Sequence, residues 1–230
     1  MKKKNMVLVV TMLLVACYAA LGVFALAQEG EEAPAPERSL IGAWRVASYY
    51  SGGTVTLIPS EFMVFTEEKA ADYRDSFETP FAESDYSVEG TKLQLPGLKR
   101  SFEMNWCSDH VLQLYASPDE YTELIWYSGL DAVPAEVDRD RFNGTWNIVY
   151  RRGLDQIGTE VLVIDGATLT DYRNGSTEPT VTVDLSWNEE GQLVAPRLAK
   201  IYAVYPNGAD EWYLVETDTG FIWQLVRVEP

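Results

Sequence analysis

Past residue 38 the apolar positions recur with a period of two. Trp44-Arg45-Val46-Ala47-Ser48-Tyr49 alternates weakly, and Glu61-Phe62-Met63-Val64-Phe65-Thr66 reads as a buried strand. Residues 86–95 read as a hairpin turning at Glu89-Gly90. Further along, Val161-Leu162-Val163-Ile164 meets Asp165-Gly166 and then Ala167-Thr168-Leu169-Thr170. An Asp-Gly pair between two such runs marks a hairpin, because both residues accept the left-handed conformation of a tight turn. Asn207-Gly208 separates another pair of runs, and residues 221–228 form a last apolar strand. No segment beyond residue 38 shows a period near 3.6. Many short strands joined by tight turns predict an all-β chain of antiparallel sheet, a sandwich or a barrel. Closure is expected, since it removes sheet edges that would otherwise aggregate.

The pattern is written twice. Gly42-Ala43-Trp44 returns as Gly144-Thr145-Trp146, about 100 residues on. Asp72-Tyr73-Arg74 returns as Asp171-Tyr172-Arg173, and Pro96-Gly97-Leu98 as Pro196-Arg197-Leu198. Two copies of one domain follow, at 38–128 and 139–230, joined by a linker at 129–138. Each has room for about seven to eight strands of ordinary length.

The residues at the entrance to the first strand carry a resemblance. Leu40-Ile41-Gly42-Ala43-Trp44 and Phe142-Asn143-Gly144-Thr145-Trp146, the strand end Phe65-Thr66, the 86–95 hairpin and a closing aromatic strand ending in Arg227-Val228 resemble the lipocalin-like, or calycin, domains of bacterial secreted proteins. The resemblance implies two small antiparallel barrels. It also implies a structural plug in each, in which the entrance tryptophan (Trp44 or Trp146) packs under a basic side chain of the last strand. Trp146 and Arg227 fit that arrangement. The first copy departs from it, because aligning the last strands sets Trp126 at the place of Arg227.

Residues 1–27 read as a targeting segment: Lys2, Lys3 and Lys4, an apolar run, then Ala25-Leu26-Ala27 before a polar stretch. Three fates stay open. They are cleavage after Ala27, retention as a membrane anchor, and lipidation at Cys17 within Leu14-Val15-Ala16-Cys17. All three place the domains outside the cytoplasm, secreted or tethered to the membrane by this segment alone. Residues 28–37 are acidic, carry Pro34 and Pro36, and read as a disordered spacer. The net charge of −17 becomes −20 once residues 1–27 are removed. That balance disfavours nucleic acid, whose phosphates need a basic patch.

The chemistry is sparse. His110 is the sole histidine and reads as a surface-loop residue; Cys107 is the sole cysteine past the targeting segment and reads as a small buried hydrophobe. No catalytic residue, metal site or cofactor is expected, and the chain does not read as an enzyme. The repeated Asp-Tyr-Arg motif is either a structural ion pair at a barrel end or the rim of a ligand mouth. A lumen is the remaining site, because an eight-stranded barrel is either filled by side chains or holds one small ligand. Strand alternation nominates Phe62, Val64 and Tyr86 in the first copy and Leu162, Ile164 and Trp212 in the second as its wall. The leading expectation is an exported binding module for a small apolar ligand. The alternative is a module with filled barrels that docks another envelope or surface protein.

Overall fold

The structure, a computed structural model, describes residues 38–58, 60–128, 137–152 and 159–228. The targeting segment with Cys17, the acidic spacer and most of the linker lie outside the described residues. Among those described, no helix is long and apolar enough to cross a membrane.

In the first copy the strands are β1 (Gly42–Ser51), β2 (Thr54–Leu57), β3 (Glu61–Phe65), β4 (Lys69–Arg74), β5 (Ala82–Asp85), β6 (Ser87–Glu89), β7 (Lys92–Leu95), β8 (Arg100–Ser108), β9 (Val111–Ser117) and β10 (Glu120–Tyr127). The second has β11 (Gly144–Arg151), β12 (Glu160–Asp165), β13 (Thr168–Arg173), β14 (Val181–Asp184), β15 (Ser186–Trp187), β16 (Leu193–Ala195), β17 (Lys200–Asn207), β18 (Glu211–Glu216) and β19 (Ile222–Arg227). Among the described residues the helical elements are short 3-10 turns at Pro96–Leu98, Arg139–Phe142 and Pro196–Leu198.

Both sheets are antiparallel meanders. The first runs β5-β4-β3-β1-β10-β9-β8-β7-β6, with β2 added on β1; the second runs β14-β13-β12-β11-β19-β18-β17-β16-β15. The two edges of each sheet are continuous in the chain. Only Tyr86 separates β5 from β6, and only Leu185 separates β14 from β15. Each pair is one strand bent at a corner, so each copy is a nearly closed barrel. Nine paired segments therefore stand where seven to eight strands were expected, because the fourth strand breaks at that corner. Two hairpins turn one residue later than expected. Glu89 pairs with Lys92 and Asp165 with Thr168, which leaves Gly90-Thr91 and Gly166-Ala167 in the loops.

Side chains of alternate residues fill each interior. In the first barrel Trp44, Val46, Phe65, Leu93, Leu112 and Leu124 form the core; in the second Trp146, Ile148, Leu162, Ile164, Trp212 and Leu225 do. A third cluster lies between the barrels, where Ala47, Val111 and Ile125 on the outside of one meet Tyr205, Tyr213, Val215 and Ile222 on the outside of the other. Such two-sided burial explains why β1 alternated so weakly. Ala43, Arg45 and Ala47 are buried on its outer face just as Trp44 and Val46 are on its inner one.

Candidate functional site

One end of each barrel is closed by the entrance tryptophan. Trp44 Nε1 donates to the Leu40 carbonyl at 2.8 Å, and Trp146 Nε1 to the Phe142 carbonyl at 2.9 Å. In the second barrel the Arg227 guanidinium lies over the Trp146 ring, 4.1 Å from its centroid, and donates to the Asn143 carbonyl at 3.0 Å. In the first, Trp126 meets Trp44 edge-on with ring centroids 5.3 Å apart. The glycine before each tryptophan makes room for these closures. Gly42 has φ +135°, and a Cβ there would stand 2.1 Å from the Trp126 ring; Gly144 has φ +138°, and its Cβ would stand 2.4 Å from Arg227 Nη1.

The opposite ends differ. In the second barrel Arg151 lies 3.9 Å over the Trp223 ring centroid, and Trp223 Nε1 donates to Glu216 Oε1 at 3.3 Å. Lys200 Nζ contacts Glu216 at 2.5 Å, while Arg173 holds both Glu160 (3.2 Å) and Asp171 (2.8 Å). Tyr202 packs edge-on against Trp223 at 5.7 Å. Side chains and ion pairs fill this end.

The same layer of the first barrel holds a cavity of about 640 Å³. Tyr49 pairs with Thr122 in β1 and β10 as Arg151 pairs with Trp223 in β11 and β19. Continuing the register, Ala116 stands where Glu216 stands, and Arg100 where Lys200 stands. Threonine for tryptophan and alanine for glutamate remove the filling, and the space is the consequence. Its apolar wall includes Val46, Ile58, Phe102 and Leu114. Its polar wall includes Glu61, Asp72, Arg74, Lys99, Arg100 and Glu120.

Arg74 lies 3.4 Å from Glu61 and 3.8 Å from Asp72, and its guanidinium stacks 3.7 Å over Phe81. Asp72 Oδ1 is buried without a hydrogen-bond partner, as is the equivalent Asp171 Oδ1 of the second barrel. Burial, then the neighbouring Glu61 carboxylate, pushes the Asp72 pKa up to about 6 against the pull of Arg74 and Arg100. The repeated Asp-Tyr-Arg motif thus holds an ion pair in both barrels, and in the first it also borders a cavity.

The nominated wall residues fall elsewhere. Phe62 and Val64 point away from the lumen, a correction to their expected inward placement. They pack on the outer face with Ala43, Tyr73, Phe77 and Tyr127, and Phe62 is fully buried there. With apolar residues on both faces of β3, the sequence carried no signal for its register, and a slip of one residue turns every side chain over. Tyr86 sits at the corner between β5 and β6, where its hydroxyl donates to the Thr66 carbonyl at 2.7 Å. Leu162 and Ile164 lie in the second core, and Trp212 is stacked on Phe142 at 5.0 Å as part of the closed end. None of these six residues lines the cavity.

Polar groups tie the barrels together. Glu123, with no exposed surface, accepts from Gln113 and from Arg152 of the second barrel at 2.6 Å each. Arg152 also lies 4.9 Å over the ring of Tyr121, which borders the cavity. His110 sits in the turn between β8 and β9, half-buried, and its Nδ1 lies 2.7 Å from Glu211 Oε1. Arg45 is buried among Phe62, Tyr127 and Tyr205, each ring centroid about 5 Å away. Cys107 is partly buried at the edge of this interface. Among the described residues no group of three or more His, Cys, Asp or Glu could hold a metal ion.

Two solved structures resemble parts of the chain. A lipocalin-like protein from Bacteroides uniformis shares 15% identity at a TM-score of 0.32, over 38% of this chain and 98% of its own. An uncharacterized protein from Bacteroides eggerthii shares 14% identity at 0.33, over 39% of this chain and 100% of its own. No protein-family model and no curated protein matches the chain. The architecture is two tandem, nearly closed antiparallel meander barrels. It stands on the meander order and the closure of β1 on β10 and β11 on β19.

Proposed function

We propose that this chain is an exported, non-catalytic binding module whose first barrel takes up a small amphipathic molecule at its mouth. The observation that carries the reading is the space left where Thr122 and Ala116 replace Trp223 and Glu216. A cavity of about 640 Å³ is within the range of small-molecule sites, which are mostly apolar with a few convergent polar groups. The charged part of the wall supports it, since Glu61, Asp72, Arg74 and Arg100 supply the polar groups that orient a ligand. The mixed wall moves the expected ligand from purely apolar to amphipathic.

The second barrel serves as a filled structural partner. Its Arg152 braces the Tyr121 side of the mouth, so the tandem arrangement contributes to the site.

The test is to purify the full chain, denature it and identify released small molecules by mass spectrometry, alongside fluorescence titration with a neutral apolar probe. A stoichiometric released molecule, or saturable probe binding, supports the module. No released molecule together with no fluorescence change overturns it.

A further inference from the structure

The second barrel carries in its own side chains what the first one lacks. A cation (Arg151), an indole (Trp223) and a carboxylate (Glu216) form one continuous stack across its mouth, with contacts of 3.9 Å and 3.3 Å. That stack is also neutralised at both ends. Arg151 Nη1 reaches Glu160 at 3.4 Å, and Lys200 reaches Glu216 at 2.5 Å.

The outer partners of the stack persist in the first barrel while the stack itself is gone. Glu61 and Asp72 remain in place of Glu160 and Asp171, and Arg100 remains in place of Lys200. Tyr49, Thr122 and Ala116 replace the cation, the ring and the carboxylate. The acid pair therefore keeps one arginine, Arg74, where its counterpart has two. Arg100 has lost its carboxylate neighbour on β9. The remaining charges on this wall are Lys99 at the rim and Glu120, whose carboxylate accepts from the Tyr49 hydroxyl.

We propose, building on the binding-module reading above, that the first barrel's ligand is a zwitterion with an aromatic-sized apolar body. Its ammonium meets Glu61 and Asp72, its body fills the volume that Trp223 fills in the second barrel, and its carboxylate meets Arg100. Such a ligand replaces each missing internal group with its chemical equivalent and adds no net charge to the site. Asp72, on the cavity wall beside Glu61, is the acceptor that meets the ammonium. An aromatic amino acid has the required groups.

Isothermal titration calorimetry on the full chain separates the parts, using L-tryptophan, tryptamine, indole-3-propionate and indole as probes. L-tryptophan is expected to bind one per chain. Each half-ligand loses one charge-assisted contact and is expected to bind about tenfold more weakly or worse. Asp72→Asn should weaken L-tryptophan and tryptamine but spare indole-3-propionate, and Arg100→Gln should do the reverse. Circular dichroism confirms that each variant keeps its sheet. Indole or a half-ligand binding as tightly as L-tryptophan overturns the zwitterion proposal and leaves the binding module standing. So does saturable binding of a neutral apolar probe with none of L-tryptophan. If neither L-tryptophan nor the apolar probe binds and nothing is released on denaturation, both proposals fall.

Discussion

Thr122 occupies in the first barrel the strand position that Trp223 occupies in the second. Each lies on the last strand, and each pairs with the residue two or three beyond the bulge in the first strand of its barrel. One mouth is hollow and the other filled. Trp223 is 7% exposed and carries the packing of Arg151 and Tyr202. Trp223→Thr should therefore destabilise the chain by about 3 kcal/mol or more, as expected for a large-to-small change in a core. Urea denaturation measures it, and a loss under about 1 kcal/mol would show that the ring is not part of the packed interior.

The closed ends predict an asymmetry between two glycines. A Cβ on Gly42 would enter the packed ring of Trp126, whereas one on Gly144 would meet the end of the more flexible Arg227. Both positions have positive φ, so both substitutions are strained. Gly42→Ala should cost more stability than Gly144→Ala in the same denaturation assay.

How much of this was legible beforehand follows from which faces are buried. The duplication, the all-β class and the entrance tryptophans stood in the sequence, because turns and repeated anchors are local signals. Placing Trp126 opposite Arg227 was equally legible. The inward face of β3 was not, since Phe62 and Val64 are as apolar as Met63 and Phe65 and are covered from outside. The cavity was missed for a different reason: it arises from small residues, and Thr122 and Ala116 attract no notice alone. Extending the alignment of the last strands four residues back from Trp126 would have set Thr122 against Trp223.

The buried ion pair between barrels gives a third expectation. Removing Arg152 takes away the cation that offsets the burial of Glu123 and leaves Gln113 and Ser48 to hold it. Breaking such a pair typically costs about 3–5 kcal/mol. Arg152→Ala should show a loss of this order, and Glu123→Gln combined with Arg152→Ala should recover part of it. A double-mutant cycle on thermal or urea unfolding checks the coupling.

His110 offers a single-residue probe of the same interface. Its hydrogen bond to Glu211 raises its pKa above the ordinary 6.5, opposed by partial burial. The folded state therefore binds this proton more tightly than the unfolded one. The stabilisation is full below about pH 6.5 and is lost as pH rises through the folded value. Because the chain has one histidine, its proton NMR titration is unambiguous. The midpoint should lie above 6.5 and fall in Glu211→Gln; an unchanged midpoint would remove the ion pair from the interface.

Asp72 titrates with a consequence of the same sign in a more acidic window. Its folded pKa of about 6 lies above the ordinary 3.8, so the folded state holds the proton more tightly. Stability contributed by this group is present at low pH and declines as pH rises from about 4 through about 6. Asp72→Asn should flatten that part of the stability profile, measured by urea midpoints between pH 4 and pH 7. A profile identical to that of the parent chain would contradict the burial of this carboxylate.

The central claim is that the first mouth binds because it lacks the filling of the second. Ala116→Glu combined with Thr122→Trp rebuilds that filling, and native mass spectrometry of the full chain and this variant, each incubated with L-tryptophan, compares them directly. One bound molecule on the parent chain and none on the folded variant is the expected result. Equal occupancy of the two would contradict the claim.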